Sequence, residues 1–224
     1  MQHENNIKAI PTAEQYEVLV AQLTRIWDDL LIFRIRSELQ PAGKKGAILD
    51  VGMGTGIILR YLAADEDFDG FAFTGIDYFE DMVEIATERV AAEGFTNRIA
   101  CSWGDANKLD YPDDSFDVVI SRATIHHLSD PTEALREKYR VLKPGGFAII
   151  HDARRDAPEE TLAYFTKIRS DLGMNPTNID EKFTMDEMRG FIEKAGLKDV
   201  ATLSTAGSGP ESLGYELMIY KQKN

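Results

Sequence analysis

Ile48-Leu49-Asp50-Val51-Gly52-Met53-Gly54-Thr55-Gly56 joins a short apolar run to an acidic residue and then to glycines at three alternate positions. The apolar run reads as a buried parallel strand, and the glycines as a sharp turn into a helix beginning near Ile57. Glycine reaches positive φ at little cost and carries no Cβ, so the backbone here can turn tightly and approach a bound molecule. The usual dinucleotide turn has its third glycine one place later, where this chain has Ile57. The spacing therefore argues against a dinucleotide. A second apolar run, Phe71 to Ile76, ends in Asp77, and a carboxylate roughly 20 residues past such a turn commonly accepts hydrogen bonds from a ribose diol. A nucleoside is implied.

Outward from the turn, apolar runs alternate with helical patterns. A strand near Ala47 to Val51, a helix from Ile57, a strand at Phe71 to Ile76 and a helix from Phe79 to Ala92 come first. Short strands near Ile99 and at Phe116 to Ile120 follow, then a helix from Pro131 to Leu142 and a strand from Phe147 to Ile150, with Lys143 to Gly146 as the turn between them. Alternation of this kind predicts parallel strands joined by crossover helices, a doubly wound α/β sheet. Before it, Thr12 to Leu39 carries an amphipathic helical stripe that includes Tyr16, Leu23, Leu30 and Phe33, broken at Pro41 and Gly43. After it come a helix past Pro158, a helix at Met185 to Ala195 opened by Thr184, and two strand-like runs, Asp199 to Ser204 and Tyr215 to Tyr220, expected to pair antiparallel.

The chain has 224 residues, 43% hydrophobic and 28% charged, with no Pro/Ser/Gly-rich linker, which predicts one soluble domain. No run approaches the roughly 18 apolar residues of a membrane span, and the polar start contains no signal core. Cys101 is the single cysteine, so no disulfide forms within the chain and a cytoplasmic address is expected. A formal net charge of −13 repels phosphate backbones and weighs against nucleic acid as a partner. Cys101, His126, His127 and His151 lack the paired short spacing of zinc sites, and no metal is expected.

Further along lie Gly104-Asp105-Ala106, Ser115-Phe116-Asp117-Val118-Val119-Ile120-Ser121, and Val141-Leu142-Lys143-Pro144-Gly145-Gly146. With the glycine turn and Asp77, these segments in this order resemble the class I S-adenosylmethionine-dependent methyltransferases. The likeness is to their small-molecule (type 11-like) branch, through Asp117 to His127, and covers about residues 45 to 152. It implies a Rossmann-like, mostly parallel seven-stranded sheet with an antiparallel last strand. It also implies an N-terminal helical lid (1–43), a cofactor-binding core (44–152), and substrate-side helices and final strands (153–224).

The resemblance further implies S-adenosyl-L-methionine as cofactor and a small-molecule acceptor, in a monomer or homodimer. Gly52, Gly54 and Gly56 would pack against the methionine and ribose, and Asp50 would face the sulfonium. Asp77 would take the ribose hydroxyls, or else cap the following helix. Tyr78 would lie against the adenine, which Asp105 and Ala106 would read at one edge, and Ser121 would complete the pocket. Ligands of open α/β sheets lie beyond the carboxyl ends of the strands, so the acceptor is expected near Arg122 to His127 and near His151, Asp152 and Arg154. His126 and His127 are candidate bases. Arg122 either binds an acidic substrate or pairs with a carboxylate, and Tyr16, Trp27 or Phe33 would help close the pocket. The stretch from Asp156 to Pro176, with Tyr164, Phe165 and Arg169, would adjust it to its substrate.

Two rival functions remain open to the sequence. Tyr139-Arg-Val-Leu-Lys143 matches the Tyr-x-x-x-Lys pair of short-chain NAD(P)-dependent oxidoreductases. A non-catalytic S-adenosylmethionine-binding regulator would also carry the same turn.

Overall fold

The computed structural model describes residues 25–171 and 178–223. Tyr16 and most of the proposed lid lie outside the described residues. Seven strands form one sheet in the order β3-β2-β1-β4-β5-β7-β6. They are β1 (Gly46–Val51), β2 (Phe71–Asp77), β3 (Ile99–Trp103), β4 (Phe116–Arg122), β5 (Leu142–Ala153), β6 (Ala201–Thr205) and β7 (Gly214–Tyr220). β1 to β5 run parallel, while β7 lies antiparallel to both β5 and β6. The expected doubly wound sheet with one antiparallel strand is therefore present.

β1 is central because it is apolar on both faces. Ile48, Leu49 and Val51 are fully buried, as expected for a parallel strand covered on both sides. Ile48 packs with Leu31 and Ile35 of α1 (Arg25–Leu39), Leu59 and Leu62 of α2 (Ile57–Ala63), and Ala86 and Val90 of α3 (Glu80–Ala92). Leu49 and Val51 turn to the other face, against Leu135 and Val141 of α4 (Pro131–Val141) and Met188 and Ile192 of α6 (Met185–Ala195). α5 (Glu159–Asp171) sets Phe165 beside Trp27 of α1, ring centroids 5.0 Å apart, at the sheet's carboxyl end. α1 is thus seated on the core through Leu31 and Ile35.

Local signals explain the helix starts. Asp130 accepts from the Glu133 N–H and Pro131 opens α4. Thr184 and Glu187 form a reciprocal capping box at α6, which Gly196 ends with φ 78°.

Lys143 to Gly146, expected as a free turn, lies within β5 as a bulge. Leu142 pairs with Phe116 and Phe147 with Val118, so the residues between them loop out opposite Asp117. Asp117 Oδ2 holds Lys143 Nζ at 2.7 Å. The Gly145 N–H donates to the Lys221 carbonyl, and the Lys221 N–H to that of Gly146. Backbone pairing beyond β7 converts the turn into strand. No helix among the described residues is long and apolar enough to cross a membrane.

Candidate active site

Strand order reverses beside β1, because β2 leaves it on one side and β4 on the other. The crevice at such a switch point, beyond the carboxyl ends, is where open α/β sheets take ligands. The glycine turn lies there. Gly52, Gly54 and Gly56 have φ of 82°, 55° and 71°, conformations that L side chains adopt only with strain. Gly52 and Met53 N–H groups donate to the Ile76 carbonyl, and the Gly54 N–H to Asp77 Oδ2 at 2.8 Å. On its other flank the turn meets the loop after β4, where a Cβ on Gly52 would lie 2.3 Å from Thr124 Oγ1.

Asp77 is buried, and its other oxygen accepts from the Phe79 N–H at 3.0 Å. Burial raises its pKa, against the pull of these backbone donors. Helix α3 is capped at Phe79, without a side-chain bond, so Asp77 ties the glycine turn to the start of α3. Asp50 lies beneath, its carboxyl pushed up to about 8 by burial first and by Asp77 second. Burial also depresses Lys138 to about 8, against the attraction of Asp50.

Tyr78 is 56% exposed, and its ring centroid lies 5.9 Å from that of Trp103, so an aromatic surface flanks Asp77. The Asp105 carboxylate accepts from the Asn107 N–H at 2.8 Å, and Ala106 is buried beside it. Ser121 is fully buried, and its hydroxyl donates to the Val51 carbonyl at 2.8 Å, tying β4 to β1. Thr55, inside the turn, is also fully buried, and its Oγ1 has no partner among the described residues. Glycines at three alternate positions with positive φ, a carboxylate held at the turn's edge and an orphaned buried hydroxyl fit a nucleoside cofactor such as S-adenosyl-L-methionine.

Beyond β4 and β5 opens a cavity of about 170 Å³. Its apolar walls include Trp27, Phe165, Leu213 and Tyr215, and its polar ones Arg122, His126, His151, Asp152, Arg169 and Lys182. The structure thus gathers α1, the segment after β4, the end of β5 and α5 around it. Arg122 is committed to a carboxylate, Asp28 Oδ1 of α1, at 2.6 Å. Burial lifts Asp28 to about 6, with Arg122 opposing.

His126 Nδ1 lies 2.6 Å from Asp152 Oδ2, and its Nε2 contacts Lys182 Nζ. Burial alone would raise Asp152, yet His126 and Lys182 bring it down to about 2. Desolvation, then His126 and Lys182, lowers the His127 pKa. His151 Nε2 meets Glu216 Oε2 at 3.1 Å. Arg154 does not line the cavity; its Nε donates to the Ser212 carbonyl at 3.2 Å.

The sequence reading missed Asp28, Lys182 and Glu216. Asp28 interrupts the buried stripe of Trp27, Leu31 and Ile35, a detectable sign of a paired interior charge. Lys182 and Glu216 have no comparable local signal. Tyr139 packs in the core with Lys221 Nζ 5.3 Å from its ring centroid, and Lys143 sits at the opposite end of β5 from the cavity, held by Asp117. That pair forms no oxidoreductase site.

The methyltransferase domain family matches residues 49–150. A ubiquinone/menaquinone biosynthesis C-methyltransferase of Geotalea daltonii is 34% identical over 133 residues, 59% of this chain and 54% of that protein. The phosphatidylethanolamine N-methyltransferase of Cereibacter sphaeroides is 30% identical over 167 residues, 72% of this chain and 78% of its own length. The chain therefore spans about half the length of the Geotalea relative and more of the other. The crystal structure of an S-adenosylmethionine-dependent methyltransferase from Aquifex aeolicus superposes with a TM-score of 0.62 at 24% identity, covering 84% of this chain and 93% of that one.

Gly52→Ala is expected to cost about 1–3 kcal/mol in urea unfolding, through backbone strain and the Thr124 contact. Gly52→Ala/Thr124→Gly should recover the contact's share, whereas unchanged stability in the single variant would contradict the packing of this turn. Asp152 is depressed in the folded state, so its stabilising effect is present above its unfolded pKa of about 3.9. It fades as pH falls toward about 2. Asp152→Asn should therefore flatten the acid limb of the stability curve in that window, read by circular dichroism against pH.

Proposed function

The chain belongs to the methyltransferase domain family, and on that footing we propose that it transfers the methyl group of S-adenosyl-L-methionine to an oxygen, nitrogen or carbon of a small molecule. The observation that carries this reading is the glycine turn at the switch point, pinned between Asp77 and Thr124 and opening beside a half-apolar cavity. Bound at the turn, the cofactor supplies a methyl on positively charged sulfur, already activated for displacement.

Gly52, Gly54 and Gly56 give the close backbone approach, Asp77 takes the ribose hydroxyls, and Tyr78, Asp105 and Ala106 hold the base. Asp50 lies under the turn with its carboxyl buried, and Ser121 braces β4 against β1 beneath it. The acceptor occupies the cavity against Trp27 and Phe165, which exclude water. Holding acceptor and methyl in line supplies about 7–11 kcal/mol of barrier reduction.

Of the candidate polar groups, His126 is braced by Asp152 and Lys182, while the His127 ring packs against that of His126, centroids 3.8 Å apart. Arg122 is positioned by Asp28, and Arg154 supports the loop that borders the cavity. One chain per site suffices, as a monomer or homodimer, and the lone Cys101 suits a cytoplasmic setting.

The test is incubation of the purified protein with methyl-labelled S-adenosyl-L-methionine and panels of small hydroxy, amino and carbon-nucleophile compounds. Label should appear in a small product of one class. Binding of the demethylated cofactor with no transfer in any class would overturn catalysis in favour of a non-catalytic binder.

A further inference from the structure

His126 and His151 both line the cavity, but their rings are engaged differently. His126 has a partner on each nitrogen, Asp152 on Nδ1 and Lys182 on Nε2. His151 has one. It stands on β5 opposite Glu216 of β7 in the antiparallel register, with Nε2 3.1 Å from Glu216 Oε2. The other oxygen, Glu216 Oε1, lies 3.3 Å from Arg34 Nε of α1. His151 Nδ1 is buried and has no hydrogen-bond partner among the described residues.

Tautomer follows from the partner. Burial would raise the Glu216 carboxyl, but His151 and Arg34 bring it below its ordinary value, so it is ionised and acts only as an acceptor. The proton it requires sits on His151 Nε2. In the tautomer that puts this proton on Nε2, Nδ1 carries the lone pair, and a buried lone pair without a donor is unfavourable until a ligand meets it.

A second orphan belongs to another residue of the cavity lining. Trp27 Nε1 is buried and without an acceptor among the described residues, next to Gly214, which also lines the cavity. One unpaired acceptor and one unpaired donor in a cavity whose walls are part apolar and part charged match a hydroxyl group, whose O–H donates to Nδ1 while its oxygen accepts from the indole. Arg169 and Lys182, on the same cavity, favour that oxygen as an anion.

Resting on the methyltransferase reading, we propose that the acceptor is a small apolar hydroxy compound, a phenol or enol, and that His151 is the catalytic base that takes its proton, with Glu216 and Arg34 as positioning residues. The balance is simple for transfer to oxygen. The O–H bond breaks toward His151 Nδ1, which becomes imidazolium beside the Glu216 carboxylate. An oxygen electron pair forms the O–CH3 bond, and the pair of the cleaved C–S bond stays on sulfur, leaving a neutral thioether.

The experiment uses the whole chain with S-adenosylhomocysteine and 4-nitrophenol, whose phenolate absorbs in the visible. The ionisation constant of the bound phenol should be raised about tenfold or more over water in the wild type and return to the value in water in His151→Gln. Glu216→Gln should lose most of the shift at unchanged phenol affinity, and Glu216→Asp should restore part of it. Histidine 15N spectra of the unsubstituted protein, which depend on no variant's folding, should show His151 Nδ1 unprotonated.

A bound phenol that stays un-ionised, a phenolate band that survives in His151→Gln, or a proton found on Nδ1 would overturn the proposal. So would failure of 4-nitrophenol to bind while S-adenosylhomocysteine does. Failure of S-adenosylhomocysteine itself to bind would instead overturn the methyltransferase reading.

Discussion

The missing side chain at Gly52 is the constraint on which the rest of the site depends. Thr124 stands where a Cβ would project, and the backbone on either side is held by Ile76 and Asp77. The turn after β1 is thereby pressed between the end of β2 and the loop after β4, the two neighbours that leave β1 in opposite directions. A side chain there would collide with Thr124, so the turn or the loop after β4 would have to shift.

The acceptor side is organised by charge pairs that cross between elements. Asp28 of α1 holds Arg122 of β4, Glu216 of β7 holds His151 of β5, and Asp152 of β5 holds His126, itself in contact with Lys182. Buried pairs of this kind add little net stability, because desolvation offsets attraction. What they do here is orient imidazole rings and a guanidinium around a partly apolar hollow, leaving His151 Nδ1 without a partner among the described residues. Successive residues His151 and Asp152 point to opposite faces of the sheet, so two separate networks reach the same cavity from above and below the strand.

What was legible in the sequence was short in range. The glycine spacing, the carboxylate after β2, the Thr184 cap and the alternation of strand and helix are each written within about 25 residues. They were enough for the doubly wound sheet and for the position of the turn. What was illegible depended on partners far along the chain. Lys143 to Gly146 has turn chemistry, yet pairs with Lys221 and becomes strand. Arg122 was ambiguous until Asp28 packed against it, and Glu216 reads as one polar position of an alternating strand until the β5–β7 register sets it opposite His151. Tyr139 and Lys143 show the converse, a motif spacing that the fold places at the wrong end of the sheet.

The account rests most heavily on the turn being a sulfur-nucleoside site and not a dinucleotide site. Calorimetric titration of the purified protein with S-adenosyl-L-methionine, S-adenosylhomocysteine and NADH tests this directly. Saturable binding of the two sulfur nucleosides, one per chain, with no heat from NADH, is the predicted result. Binding of NADH with neither sulfur nucleoside bound would contradict it.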